Sequence, residues 1–213
     1  MYRKFYILEQ LGYKISSYKL ELWLDKDDYY PIPNDSIILG IGGSLKCKKY
    51  PVELLAQACI EINKLYKYTF IIIGGSSEQD DSVKLENIFR DNDISYINLT
   101  NKLTIRQTIS VIGQSKLYIG NDTGVLHIAY AANKPIIGIY MEAKDKNLFP
   151  GFISAIARFK PYQYDKFIAL QPEHALDDCI HTEMEGGCSA KEPHCIKQIP
   201  YEQIINAYKQ LIH

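Results

Sequence analysis

Long hydrophobic runs are missing from this sequence. No apolar stretch approaches the roughly 20 residues needed to cross a bilayer, and the opening MYRKFYILEQLGYK lacks the basic, apolar and small-residue layout of a signal peptide. The expected location is therefore the cytoplasm. An excess of either charge is missing too. Lys and Arg number 24 against 25 Asp and Glu, for a net charge of −1. That excludes a general basic field for nucleic acid, and no nucleic-acid partner is expected. The lysines instead gather locally, as in KCKKY at 46–50, where an anion site is possible. Cysteines are few: Cys47, Cys59, Cys179, Cys188 and Cys195. An odd count without a leader argues for free thiols and against a disulfide framework. The late cysteines in CIHTEMEGGCSAKEPHC are spaced C-x8-C-x6-C, without the paired close ligands of a zinc site. No metal is expected.

Two familiar nucleotide signatures are also missing. The Gly-x-x-x-x-Gly-Lys-Ser/Thr spacing of a P-loop does not occur, and neither does Gly-x-Gly-x-x-Gly. The Asp-Thr-Gly triplet at 122–124 occurs once. An aspartic protease needs two carboxylates sharing a proton, hence two such copies or a small all-β dimer.

What is present is a βα rhythm. Before it, YRKFYILEQLGYKI suits a short helix, YKLELWL alternates like a strand, and DKDDYYPIPND reads as a polar linker. From Ser36 the apolar runs SIILGIGG, YTFIIIGG, ISYINLT, LYIG and PIIGIY alternate with the helical segments PVELLAQACIEINKLY, DDSVKLENIFRDN, TIRQTISVIGQS and TGVLHIAYAAN. Thr104 is a candidate N-cap. This alternation implies one α/β domain, with a parallel sheet covered by helices on both faces. After Tyr140 come a short helix in FPGFISAIARF, a strand in KFIALQP, a long loop over 171–198, and a closing helix in YEQIINAYKQLI.

Ligands of parallel sheets sit beyond the carboxyl ends of the strands. At the first such end, GIGGSLKCKKYP, Gly42 and Gly43 allow close backbone approach, Ser44 offers a hydroxyl, and Lys48 and Lys49 precede a helix N-terminus. Together they suit a diphosphate; the plainer reading is a tight turn with solvated lysines. At the second end, Glu78 or Asp80 suits ribose hydroxyls, with helix capping as the alternative. In GNDTGVLH, Asp122 precedes a helix, Thr123 suits its cap, and Gly124 lets an anion approach the exposed N–H groups. His127, one turn in, faces either the ligand or the core.

These motifs, in this order, resemble the C-terminal half of glycosyltransferase family 9, the bacterial lipopolysaccharide heptosyltransferases. GGSLKCKKYP is similar to the family's stretch ending in Lys-Arg/His-Trp-Pro, with Tyr50 in place of Trp. IGNDTGVLHIAYAANKPIIGIY is similar to its Asp-Ser/Thr-Gly-x-x-His block and following strand. The cysteine-containing tail also resembles the family's, and the match spans residues 36–200.

The resemblance implies a Rossmann-like domain over 36–213, the C-terminal domain of the two-lobed GT-B architecture, preceded at 1–35 by the end of an acceptor domain and its linker. It implies inverting, metal-independent transfer from a nucleotide-diphospho-sugar, ADP-heptose or similar, to a lipopolysaccharide core or related glycan, at the inner face of the inner membrane and with no cofactor. Gly43, Ser44, Lys48, Asp122, Thr123 and Gly124 would hold the diphosphate and sugar, and Glu78 the ribose; His127 matches the motif without an assigned role. No position matches the family's catalytic Asp, which belongs to the N-terminal lobe. The expectation is a transferase, either a divergent short form or one completed by a separate N-terminal-domain polypeptide, or else a donor-binding domain or truncated pseudoenzyme without transfer activity alone. Another nucleotide-sugar enzyme, such as an epimerase, is the third reading.

Overall fold

Six parallel strands form one sheet in the order β3-β2-β1-β4-β5-β6. The computed structural model describes residues 2–16, 20–144, 154–161, 164–176, 192 and 194–212. The strands are β1 (Ser36–Gly40), β2 (Thr69–Ile73), β3 (Tyr96–Asn98), β4 (Leu117–Asn121), β5 (Ile136–Ile139) and β6 (Phe167–Leu170). Every residue of β1, β4 and β5 is buried, because helices cover both faces. Successive residues feed opposite cores. Ile37, Leu39, Phe70 and Ile72 pack under α2 (Val52–Leu65), α3 (Gln79–Asp91) and α7 (Tyr201–Ile212). Ile38, Ile71, Tyr118 and Tyr140 pack with Val111 of α4 (Ile105–Gln114) and Leu126 of α5 (Gly124–Ala131).

The chain runs outward from β1 to β3, then returns through α4 to lay β4 against the other edge of β1. Strand order therefore reverses between β1 and β4, where doubly wound sheets open a crevice at the strands' carboxyl ends. Gly40 and Gly120 are register partners at this point. A Cβ on Gly120 would lie 2.5 Å from the Gly40 carbonyl oxygen, and one on Gly40 would collide with the Tyr118 hydroxyl. Only glycine fits at either position.

The helices follow their local signals. The Thr104 hydroxyl accepts from Gln107 N, and the Gln107 side chain accepts in return from Thr104 N, closing the capping box that starts α4. The first helix, α1 (Tyr2–Gln10), ends at Gly12 with φ +85°. The strand expected in YKLELWL does not form: residues 20–24 carry no regular structure, because they lie outside the sheet and no neighbouring strand takes up their backbone groups. The chain is instead strapped along α4. Tyr30 N donates to Ser110 Oγ at 3.1 Å, Gln114 Nε2 donates to Tyr30 O at 2.8 Å, and Arg106 pairs with Asp25 and Asp28 at 3.1 and 2.8 Å. α6 (Ala155–Phe159) is one short turn. Cys47, Cys59 and Cys195 are buried and outside any disulfide; Cys179, Cys188 and most of the expected 171–198 loop lie outside the described residues. Among the described residues, no helix is long and apolar enough to cross a membrane.

Candidate functional site

The ends of β1, β2 and β4 meet around a cleft of about 430 Å³, within the range of small-molecule sites. The β1 end is held in place by Asn121 at the last position of β4. Its Nδ2 donates to the carbonyls of Ile41 at 3.1 Å and Gly42 at 3.0 Å, and its Oδ1 accepts from Tyr50 N at 3.0 Å. One side chain thus fixes both arms of the loop that carries the lysines. Tyr50 buries its ring, and its hydroxyl donates to Ile199 O at 2.7 Å. The phenol binds the loop to the C-terminal segment, and burial pushes its pKa up.

The two lysines divide. Lys49 crosses Gly43, where an added Cβ would meet its Cγ at 2.8 Å, and reaches Glu78 Oε1 at 2.6 Å. Lys48 makes no ion pair with a described residue and acts electrostatically on Asp122. At the β2 end, Glu78 is 3% exposed. Its carboxylate accepts from Gly75 N at 2.8 Å, from Ser77 Oγ at 2.6 Å and from Lys49. Burial alone would raise its pKa, but Lys49, Ser77 and Gly75 N–H outweigh it and hold the carboxyl below its ordinary value.

At the β4 end, Thr123 occupies the N-cap position of α5, as expected, but its hydroxyl makes no capping bond. Leu126 N donates to Thr123 O at 3.1 Å, which leaves the amides of Gly124 and Val125 at the start of α5, and a helix N-terminus favours anions. Asp122 is half-buried. Burial raises its pKa, Lys48 opposes this and Glu142 adds to it, so the carboxyl titrates above its ordinary range. His127 is half-buried one turn along α5; burial lowers its pKa, and its Nδ1 has no hydrogen-bond partner. Beneath the turn, the buried hydroxyls of Tyr118 and Tyr140 also have no hydrogen-bond partner among the described residues; Thr123 lies beside Tyr118 but outside hydrogen-bonding geometry.

Of the residues singled out from sequence, Gly42, Gly43, Ser44, Glu78 and Thr123 line the cleft. Lys48, Asp122, Gly124 and His127 lie beyond that lining, around the adjoining β4 end. Leu99, Leu103, Ile105 and Val125 give the rest of the wall an apolar stretch, interrupted by the hydroxyl residues Ser77 and Thr108. Sequence reasoning did not single out this wall, nor Asn121. Leu103 and Ile105 flank the Thr104 cap, the one local signal that places them at an element's carboxyl-end rim. Among the described residues, no three His, Cys, Asp or Glu side chains are grouped to hold a metal ion. Chemically, the site offers a cation, free hydroxyls and backbone amides on one side, and an apolar slot with a buried carboxylate on the other.

The chain is similar to several known proteins. Lipooligosaccharide heptosyltransferase 2 of Campylobacter jejuni is 24% identical over 184 residues, which is 84% of this chain and 53% of that protein. Lipopolysaccharide heptosyltransferase 1 of Campylobacter coli is 30% identical over 110 residues, or 49% of this chain and 31% of that one. The glycosyl transferase family 9 structure from Veillonella parvula superposes with a TM-score of 0.68 at 20% identity, covering 97% of this chain and 57% of its own. ADP-heptose lipopolysaccharide heptosyltransferase II of Escherichia coli gives 0.61 at 16% identity, with 98% and 50% covered. The chain spans about half the length of the curated relatives it matches over most of its own length. The model of glycosyltransferase family 9 (heptosyltransferase) matches residues 25–171, and the chain belongs to that family.

Proposed function

We propose that this chain is the donor-binding half of a heptosyl-type transferase and that its cleft takes a nucleotide-diphospho-sugar. The observation that carries this reading is the division of the site at the β1/β4 switch point. Lys48, the free Thr123 hydroxyl and the α5 N-terminus suit a diphosphate. The apolar wall beside Glu78 suits a nucleoside. An ADP-linked heptose is the donor class favoured by the similarity to an enzyme named for ADP-heptose.

In the proposed reaction the acceptor hydroxyl oxygen attacks the anomeric carbon opposite the diphosphate. The bond from that carbon to the diphosphate oxygen breaks, its electron pair leaves with the nucleoside diphosphate, and the configuration inverts. Charge grows on the leaving oxygens. Lys48, Ser44, Thr123 and the α5 amides are arranged to neutralise it without a metal ion or other cofactor. The hydroxyl proton passes to a base on the acceptor side of the cleft. Asp122 is a positioning residue in this scheme: it organises the turn and faces the sugar hydroxyls. The acceptor is a lipopolysaccharide core or related glycan, met at the inner face of the inner membrane. Residues 1–35 are the end of the acceptor lobe and its linker, with 36–213 as the donor domain.

Thermal unfolding with ADP, AMP and adenosine tests the binding claim. A ligand at 100 times its Kd stabilises by about 2.7 kcal/mol, so ADP should raise Tm more than AMP, and adenosine least. Equal shifts for all three would remove the diphosphate from the account. A second reading keeps the same site: a donor-binding domain that transfers nothing alone or acts with a separate N-terminal-domain polypeptide. Turnover of ADP-heptose with acceptor by this chain alone would refute it.

A further inference from the structure

The adjacent lysines of KCKKY are placed for different work. Lys49 is committed: its stem runs over Gly43, and its ammonium contacts Glu78 Oε1 at 2.6 Å and donates to Ser77 O at 3.3 Å. The pair is enclosed, with side chains 13% and 4% exposed. Moving Lys49 onto a phosphate would strand a buried carboxylate.

The carboxylate has one vacancy. A carboxylate offers about four acceptor positions. Among the described residues, Oε1 of Glu78 takes Ser77 Oγ and Lys49, while Oε2 takes only Gly75 N. Oε2 is also the oxygen nearest the cleft's glycines: added Cβ atoms would lie 3.7 Å away at Gly42 and 3.4 Å away at Gly75. Glu78 itself lines the cleft.

We infer that Lys49 is a positioning residue that holds Glu78 so that the open acceptor position on Oε2 receives a ribose hydroxyl of the bound nucleotide. The inference rests on the nucleotide reading above. It assigns phosphate binding to Lys48 and selection of the ribose to the Lys49–Glu78 strut.

Calorimetric titration with ADP and 2′,3′-dideoxy-ADP tests it. A hydrogen bond to a charged acceptor predicts that the wild type prefers ADP by roughly tenfold or more. In Lys49→Met the preference should fall to within about threefold, while affinity for dideoxy-ADP stays within about threefold of wild type. Lys49→Arg, which keeps the ion pair, should restore the preference. Equal weakening of both nucleotides would make Lys49 a phosphate ligand and overturn the inference, as would an unchanged preference. If Lys49→Met does not fold, Ser77→Ala, which removes one bond to Oε1, should lower the preference partway; an unchanged ratio there overturns it equally. Failure of the wild type to bind either nucleotide would refute the nucleotide reading itself, a result distinct from binding without preference.

Discussion

Replacing Asn121 with alanine removes three hydrogen bonds at once. The side chain bridges strands β4 and β1 across 71 to 80 residues of sequence, accepting from Tyr50 N and donating to the carbonyls of Ile41 and Gly42. Asn121 itself is buried. Each bond contributes about 1 kcal/mol net, and a stranded buried donor costs about 1–3 kcal/mol. The expected loss is about 3 kcal/mol. With a urea m-value of about 2 kcal/mol/M, the unfolding midpoint should fall by about 1.5 M. Asn121→Asp sharpens the test, because it keeps the acceptor for Tyr50 N but sets a carboxylate against two carbonyl oxygens. Its folded pKa must then lie above the unfolded value. The penalty is absent below the unfolded pKa and grows as pH rises through the folded one, so this variant should regain stability in acid while Asn121→Ala does not. ADP affinity should fall in both variants, since the loop carrying Ser44 and Lys48 is no longer fixed. A midpoint shift under about 0.3 M in Asn121→Ala, at unchanged m, would refute the reasoning.

Gly40→Ala should be strongly destabilising because of the contact with the Tyr118 side chain, and Tyr118→Leu should partly relieve it in chemical denaturation; additivity of the two changes would contradict this. Tyr118→Phe removes a buried, unpartnered hydroxyl and should be neutral or stabilising by about 1 kcal/mol in the same assay. Lys49→Met should cost about 3 kcal/mol at neutral pH. Glu78 has a depressed folded pKa, so its contribution is present above the ordinary carboxylate value and is lost as pH falls through the folded one; the gap between variant and wild type should narrow in acid. Burial holds the Asp122 carboxyl above its ordinary value, and a diphosphate beside it would raise it further. ADP binding just above the ordinary carboxylate range should therefore take up protons, read as a dependence of calorimetric heat on buffer ionisation enthalpy and abolished in Asp122→Asn.

The sheet was legible because β1, β2, β4 and β5 are near-continuous apolar runs, the pattern that burial on both faces demands. YKLELWL has the alternation of a strand but no partner in the sheet, and alternation alone does not supply one. The glycine turns and Thr123 were legible because strand-end position and residue chemistry agree. The division between Lys48 and Lys49 was not, because it depends on how the short 3₁₀ turn Lys46–Lys48 faces two different strand ends. Asn121 was hidden for a related reason. Its partners lie far away in sequence and become neighbours only when α4 returns the chain to β1. The apolar wall escaped notice because Leu99, Leu103 and Ile105 read as ordinary core or helix positions until the β3–α4 connection turns them to the cleft.

The central claim is that Lys48 and the α5 N-terminus hold a nucleoside diphosphate. Calorimetric titration of the wild type and Lys48→Ala with ADP tests it most directly. Saturable 1:1 binding by the wild type, weakened roughly tenfold or more in the variant, is the predicted result. No binding by the wild type, or equal affinity in the two proteins, would contradict it.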